Sequence, residues 1–176
     1  MNQYLLFPLD GYDPYIGAWL WSLQDTRRRT LNALKGLDDE TINWTAAKGM
    51  NSISTLLYHI AAVEMSWLYE DILEGAALPP DILAPMQYDV SDNEGVLAPV
   101  TNETLDTHLD RLQHCRRHLL SIFSGMSREE FRRPRKVEDY TVTPEWVIHH
   151  LIQHEAEHRG QIGEIRKYSQ QPLAGK

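Results

Sequence analysis

The sequence predicts an all-α protein with the architecture of a four-helix bundle. Four long segments place apolar residues at the three- and four-residue spacing of an amphipathic helix. No convincing pair of strands and no internal repeat accompanies them. The chain has 176 residues, of which 42% are apolar and 24% are charged, as in ordinary globular proteins. We therefore expect a single domain over residues 1–176 with a sizeable core.

Local signals set the bounds of the four predicted helices, which span residues 14–35, 53–74, 102–124 and 144–168. A residue whose side chain can accept a hydrogen bond from the first turn precedes each helix, and these caps are Asp13, Ser52, Thr101 and Thr143. Each of the first three helices is followed by a glycine, which commonly ends a helix, at Gly36, Gly75 and Gly125. Pro14 and Pro144 occupy first-turn positions, where proline is favoured.

The connections between the predicted helices are unequal in length. We expect residues 1–12 and 37–51 to be irregular, the second stretch being polar around Trp44. Residues 75–101 are rich in proline and too long for a tight turn, so they predict a long crossover that packs over the bundle. The expected anchors of this crossover are Met86, Tyr88 and Val96. A crossover between the second and third helices favours an up-down-down-up order.

Shorter patterns surround the last helix. Residues 127–130 (Ser-Arg-Glu-Glu) match the capping-box pattern and predict one short helical turn. Residues 132–136 predict a basic loop, and residues 140–142 are expected to lead directly into the last helix. The tail from Gln170 is expected to fray.

Charge and composition exclude several classes of protein. The net charge of -8 argues against nucleic acid as a main partner. No run of about 18 apolar residues is present, so we expect no membrane-spanning segment, and the N-terminus lacks the features of a signal peptide. Cys115 is the single cysteine, so no internal disulfide can form, and we expect it to be a packing residue. A cytoplasmic location is the default expectation.

The last predicted helix carries two histidines on its apolar face. His154 and His158 are four residues apart, so they lie one turn above each other and point the same way, between Leu151 and Ile162. Buried polar groups are costly without partners, and a metal ion is a partner that two imidazoles can share. His59 lies on the core side of the second predicted helix. Three imidazoles in one core fit a metal site with open positions.

The other histidines are expected to have different roles. His114 and His118 have the same spacing but share a polar face, so we expect a solvated pair. His108 lies near a polar boundary. His149 points away from the metal-ligand face and is expected to contact the first helix or solvent. His150 is closer to that face and is expected to lie behind a ligand or to face substrate.

Two segments together resemble the DinB/YfiT-like family of proposed metalloenzymes. They are SISTLLYHIAAVEMSW (residues 52–67) and WVIHHLIQHEAEHRGQI (residues 146–162), the second ending in the fairly specific His-x-x-x-His-Arg-Gly-Gln pattern. The resemblance covers most of the chain, from the first predicted helix to the last. It implies an up-down-down-up bundle and, in many members, a homodimer. It also implies a divalent metal, often nickel or zinc, held by His59, His154 and His158.

The sequence departs from the family pattern at one position near the ligands. Many relatives have a further histidine just before the last ligand, where this chain has Glu157. Helix geometry places position 157 off the ligand face, so we expect the ligand set to be unchanged. Gly160 is expected to allow a close helix approach, and Gln161 to lie beside the site. Surface roles are expected for Glu64, Glu70 and Arg159.

The family resemblance also implies a type of reaction. The family includes transferases and isomerases that use a low-molecular-weight thiol such as bacillithiol or mycothiol. We therefore expect a metal-dependent thiol S-transferase acting on an unknown electrophile, and the basic loop 132–136 could attract an acidic thiol. One alternative is a metal-dependent hydrolase, for which His150, Glu155 and Glu157 are candidate bases. Another is a non-catalytic stress or binding protein in which the metal staples two helices.

Overall fold

Four long helices form a bundle in the computed structural model, which describes residues 3–170. They are α1 (Pro14–Leu34), α3 (Ile53–Ser66), α5 (Leu105–Phe123) and α7 (Pro144–Ser169). The shorter helices are α2 (Asp39–Asn43), α4 (Pro80–Leu83) and α6 (Arg128–Phe131), and a π-helical segment (Trp67–Ile72) continues α3. Strands β1 (Arg135–Val137) and β2 (Tyr140–Val142) form an antiparallel hairpin. The predicted all-α four-helix bundle is confirmed, although α2 and α4 lie in connections predicted to be non-helical.

The helix starts follow the predicted capping chemistry with one exception. The side chains of Asp13, Ser52 and Thr143 each accept a hydrogen bond from a backbone N–H in the first turn. α5, however, begins at Leu105 rather than at residue 102, and its cap is Thr104 instead of Thr101. Asn102 has a φ of 62°, a left-handed conformation that cannot belong to an α-helix. The predicted frayed tail beyond Gln170 lies outside the described residues.

Side-chain contacts define the directions of the long helices. α1 and α7 are parallel, because successive contacts between them involve later residues of both helices. These contacts are Tyr15–Glu145, Arg27–Glu155 and Ala33–Arg166. α3, with its π-helical continuation, is also parallel to α5. The contacts that show this are Ser54–His108, Glu64–Arg116 and Tyr69–His118. α3 and α7 are antiparallel, as the contacts His59–His154 and Trp67–His150 show. The order is therefore up-down-down-up, as predicted.

The long crossover follows from this topology. Because α3 and α5 are parallel neighbours, the chain must return along a helix of 19 residues, about 29 Å long, before α5 begins. Ile82 and Val100 are the buried anchors of the crossover. Met86 packs against the core, and Tyr88 contacts Tyr58 of α3 through its ring, at 5.5 Å between centroids, and through two backbone hydrogen bonds. Val96 is exposed, so the prediction for that side chain is wrong.

The predicted basic loop is instead part of the β-hairpin, and its arginines are paired. Arg135 is 3% exposed and lies 2.6 Å from a carboxylate oxygen of Glu130. Arg133 contacts Glu130 and, at 2.7 Å, Glu74. Strands of three residues are too short to show an alternating pattern, which is why the sequence did not predict them. With their charges paired, these arginines do not support attraction of an acidic thiol.

Four charged residues, one from each long helix, form a buried ion-pair network. Arg27 of α1 lies 3.0 Å from Glu64 of α3 and 2.8 Å from Glu155 of α7. Arg116 of α5 lies 2.8 Å from Glu64 and 3.0 Å from Glu155. All four residues are at most 6% exposed. Burial alone would raise the pKa of Glu155, but the charges of Arg27 and Arg116 outweigh it and hold that pKa below its ordinary value.

This network overturns one prediction, because Glu64 is a core residue instead of a surface one. Glu70 is exposed as predicted, whereas Arg159 is partly buried and donates to the carbonyl oxygen of Thr26 at 3.4 Å. A Cβ atom added at Gly160 would meet no other atom within 4 Å, so the predicted close helix approach there is wrong. Within residues 3–170, no helix has the length and apolar character needed to cross a membrane.

Candidate metal centre

Two antiparallel helices bring three histidine rings together. α7 begins at Pro144, where Thr143 accepts a hydrogen bond from the backbone N–H of Trp146. The helix then runs without a break, so His154 and His158 lie one turn apart on the face that meets α3. His59 of α3 faces them, and its ring centroid lies 4.9 Å from that of His154 and 5.0 Å from that of His158. All three rings are partly buried.

The Nε2 atoms of these rings converge at a spacing that suits a shared ion. His154 Nε2 lies 3.1 Å from His59 Nε2 and 3.0 Å from His158 Nε2. The three residues each offer one ligand atom, and these atoms all lie within 4.8 Å of one another. A metal bonded to nitrogens at about 2.0–2.1 Å, with bond angles of about 90–110°, separates them by about 2.9–3.4 Å. The two short separations fall in that interval.

Hydrogen bonds on the outer nitrogens orient two of the rings. His59 Nδ1 lies 3.0 Å from the backbone oxygen of Val90, which can only accept, so Nδ1 carries the proton. His158 Nδ1 lies 3.0 Å from Oε1 of Gln161 and is likewise the donor. When such a ring is neutral, a proton on Nδ1 leaves the lone pair on Nε2, and in both residues Nε2 faces His154 or lies beside it. A single N–H on His154 Nε2 can satisfy only one of these lone pairs, whereas a metal ion can accept all three.

Burial favours the neutral form that coordination requires. Burial, followed by the neighbouring imidazoles His158, His59 and His150, lowers the pKa of His154 to about 3. Burial also lowers the pKa of His59. These two rings are therefore uncharged at neutral pH, and a neutral imidazole is the ligand form.

An aromatic layer adjoins the three histidines one helical turn nearer the start of α7. The ring of His150 lies 5.8 Å from that of His154 and stacks on Trp146 at 5.2 Å with an interplanar angle of 3°. It also contacts Trp67 at 4.8 Å. Burial lowers the pKa of His150. His150 therefore lies between the histidine cluster and two tryptophans. This position is compatible with the prediction that His150 lies behind a ligand or faces substrate.

The remaining histidines are separate from this cluster. His149 contacts Trp19 of α1, as predicted. His114 and His118 are partly buried, so they are not the solvated pair that their polar face predicted. His114 lies 3.3 Å from Asp81, and His118 hydrogen-bonds Tyr69.

His108 is fully buried, so its predicted place at a polar boundary is wrong. Arg111 donates to His108 Nδ1 at 2.9 Å, and Nε2 lies 2.6 Å from the hydroxyl of Ser54. Burial and the charge of Arg111 lower the pKa of His108 to about 4. A proton on Nδ1 would break the hydrogen bond from Arg111 and place two positive charges side by side.

Acidification is expected to destabilise the protein through His108. Because the pKa is about 4 in the folded chain and 6.5 ordinarily, the unfolded chain binds the proton first. The stabilisation is present above about pH 6.5 and is lost as the pH falls toward 4. Between pH 7 and pH 5, the free energy of unfolding should fall by about 2 kcal/mol more in the wild type than in His108→Gln. Urea unfolding measures both, and parallel pH profiles would contradict the expectation.

The carboxylates and the thiol near the centre have limited chemical roles. Glu155 follows a candidate ligand in sequence but points into the ion-pair network, so it is not a candidate base. Glu157 is exposed. Cys115 is fully buried, as predicted for a packing residue, and burial raises the pKa of its thiol to about 12.

Fold and site together define an all-α bundle with a three-histidine cluster between two antiparallel helices. The sequence profile of the DinB superfamily matches residues 22–162. The chain belongs to the DinB superfamily, whose members often bind divalent metals. A Bacillus subtilis (strain 168) protein described as uncharacterized protein YkkA is 30% identical over 125 residues, which cover 70% of this chain and 70% of that protein.

Proposed function

We propose that His59, His154 and His158 hold a divalent metal ion, nickel or zinc, and that the protein is a metal-dependent enzyme. The observation that carries this proposal is the convergence of three Nε2 atoms from two helices. Late first-row divalent ions accept imidazole nitrogen, so the donor set fits such a metal. The short Nε2 separations and the neutral rings described above agree with it.

The number of ligands favours a catalytic site over a structural one. Within residues 3–170, the cluster comprises three histidines and no acidic or cysteine member. Structural zinc sites are almost always closed by four protein ligands, whereas catalytic sites commonly have three and an open position. This difference speaks against the alternative in which the metal only staples two helices.

The reaction type that we propose is thiol S-transfer. The sulfur of a low-molecular-weight thiol such as bacillithiol or mycothiol forms a bond to an electrophilic carbon, the bond from that carbon to its leaving group breaks with the electron pair, and the thiol proton passes to solvent. A divalent metal in such a site supplies Lewis acidity and lowers the pKa of a thiol or water at its open position. The chain contributes orientation, because Val90 and Gln161 fix two rings. It also contributes an aromatic layer of His150, Trp67 and Trp146 beside the cluster. The thiol itself rests on the family resemblance.

Metal-dependent hydrolysis is a second candidate because of His150. A hydrolase needs a general base near the metal, and burial keeps this imidazole neutral and able to accept a proton. Its ring contacts His154. The other predicted bases are less suited, since Glu155 is engaged by two arginines and Glu157 is off the ligand face.

A thiol-consumption assay separates these candidates. The zinc- or nickel-loaded protein is incubated with 1-chloro-2,4-dinitrobenzene and bacillithiol, mycothiol or glutathione. We expect thiol loss that requires the metal and disappears in His154→Ala. The buried thiol of Cys115 should contribute little background. Metal-dependent cleavage of a nitrophenyl ester without thiol loss would select the hydrolase. If the protein showed neither activity, both enzyme proposals would be rejected.

The remaining expectations rest on sequence and resemblance. We propose a single domain, a homodimer, a small-molecule substrate and a cytoplasmic location, with no role in binding nucleic acid. The acidic composition supports the last point, because the net charge of -8 repels phosphate.

A further inference from the structure

A pocket lies between the π-helical segment, β2 and the start of α7, next to the aromatic layer beside the histidine cluster. The pocket has a volume of about 430 Å³. It is lined by Trp67, Tyr140, Thr141, Val142, Thr143 and Trp146. Tyr140 is 46% exposed and Trp146 is 47% exposed, which is unusual for clustered large aromatic side chains unless they face a ligand.

The three aromatic rings wall this pocket from different directions. The ring of Trp67 lies 5.4 Å from that of Trp146 at an angle of 53°, and 6.3 Å from that of Tyr140 at an angle of 55°. Inclined rings present faces to a common space, whereas stacked rings would cover each other. Aromatic faces carry negative electrostatic potential and attract a cation within about 6 Å of the ring centre.

Acidic groups lie near Tyr140, while β1 places Lys136 opposite the pocket residue Thr141. The hydroxyl of Tyr140 donates to Asp71 at 2.6 Å, and Asp71 is 2% exposed. Burial, this hydrogen bond and the charges of Asp71, Glu70 and Glu138 raise the pKa of Tyr140 to about 12. A phenol that donates to a carboxylate has a more electron-rich ring, so the face of Tyr140 attracts cations more strongly.

The pocket has no cation of its own in the described part of the chain. Its lining contains neither lysine nor arginine. The arginines that lie over aromatic rings do so at Tyr15 and Tyr58, which are outside the pocket. His150 covers one face of Trp146, and the other aromatic faces of the lining are not occupied by a cation from the described part of the chain.

We propose that the pocket of Trp67, Tyr140 and Trp146 binds the alkylated ammonium group of a small molecule. A methylated ammonium is weakly hydrated and has an apolar surface, so it loses little on leaving water and gains contact with the rings. His150 separates this pocket from the histidine cluster, because its ring contacts both Trp146 and His154. Binding of the ammonium group does not depend on the proposed function.

The test compares two probes of the same shape. Choline and its uncharged isostere 3,3-dimethyl-1-butanol are titrated into the metal-free protein at constant ionic strength, and the indole N–H signals of the tryptophans are followed by NMR. Choline should shift the signals of Trp67 and Trp146 and bind at least about fivefold more tightly than the alcohol. Equal or tighter binding of the alcohol would show an apolar pocket and overturn the proposal. Absence of saturable choline binding up to about 50 mM would also overturn it.

Three variants locate the binding. Trp146→Leu should weaken choline binding at least about fivefold, and Trp44→Leu, which alters a tryptophan elsewhere, should leave it unchanged. Tyr140→Phe retains the ring but loses the hydrogen bond to Asp71. It should weaken choline binding about twofold and leave the alcohol unaffected. Unchanged choline affinity in Trp146→Leu would overturn the assignment to this pocket. Because metal-free protein is used, these outcomes are independent of whether the histidines bind metal.

Discussion

His154→Ala is expected to abolish metal binding by the purified protein. His154 Nε2 is the atom within 3.1 Å of both other Nε2 atoms, so its removal leaves two rings with no central partner. Loss of residues that only orient a ligand typically weakens metal affinity about 10- to 100-fold, so loss of a ligand should exceed 100-fold. Metal content by mass spectrometry after dialysis should fall from about one ion per chain to near zero, and calorimetry gives the affinity.

Two variants serve as controls for this result. His149→Ala removes a histidine from the same helix that contacts Trp19 instead of the cluster, so it should retain the metal. Gln161→Leu removes the acceptor for His158 Nδ1 and should weaken affinity about 10- to 100-fold. Equal metal content in the wild type and His154→Ala would reject the metal centre. Equal loss in His149→Ala would indicate a general disturbance of the helix.

Glu155→Gln is expected to cost about 3–5 kcal/mol of unfolding free energy, because it leaves two buried guanidinium groups facing a single carboxylate. That is a large fraction of the stability of an ordinary domain. Urea unfolding of the metal-free protein measures it without a contribution from metal binding. The matched control is Glu157→Gln, the same chemical change two residues away at an exposed position, which should alter stability by no more than about 0.5 kcal/mol.

A double variant distinguishes charge balance from packing. Arg27→Met combined with Glu155→Gln removes one charge of each sign and leaves Glu64 paired with Arg116. Its loss of stability should be smaller than the sum of the two single losses by at least about 1 kcal/mol. Additive losses would mean that the side chains act through packing alone.

The main helices could be predicted from sequence because their signals are local. The caps at Asp13, Ser52 and Thr143 and the spacing of apolar residues depend on neighbours within a few turns. The start of α5 was missed because both Thr101 and Thr104 can cap, and the left-handed Asn102 that decides between them has no strong local signal.

The candidate site could be predicted only in part. The spacing of His154 and His158 placed two rings on one face, and the helical pattern placed His59 on the core side of the second helix. The family resemblance then implied that all three are ligands. Of the two partners that orient these rings, Gln161 is close in sequence and was expected beside the site. Val90 is 31 residues from His59 and could not be identified from a pattern. The burial of Glu64 could not be predicted for the same reason. Its partners Arg27 and Arg116 are distant in sequence and approach it only in the folded bundle. The role of the three histidines as metal ligands stays a prediction.

The parallel arrangement of α1 and α7 determines where the two ends of the bundle lie. Because Tyr15 contacts Glu145, the start of α1 lies beside the start of α7, and the 26 residues of α7 then run about 39 Å to the opposite end. The start of α1 and the end of α7 therefore lie at opposite ends of the bundle. A segment that joined these two points directly would need at least about 12 extended residues.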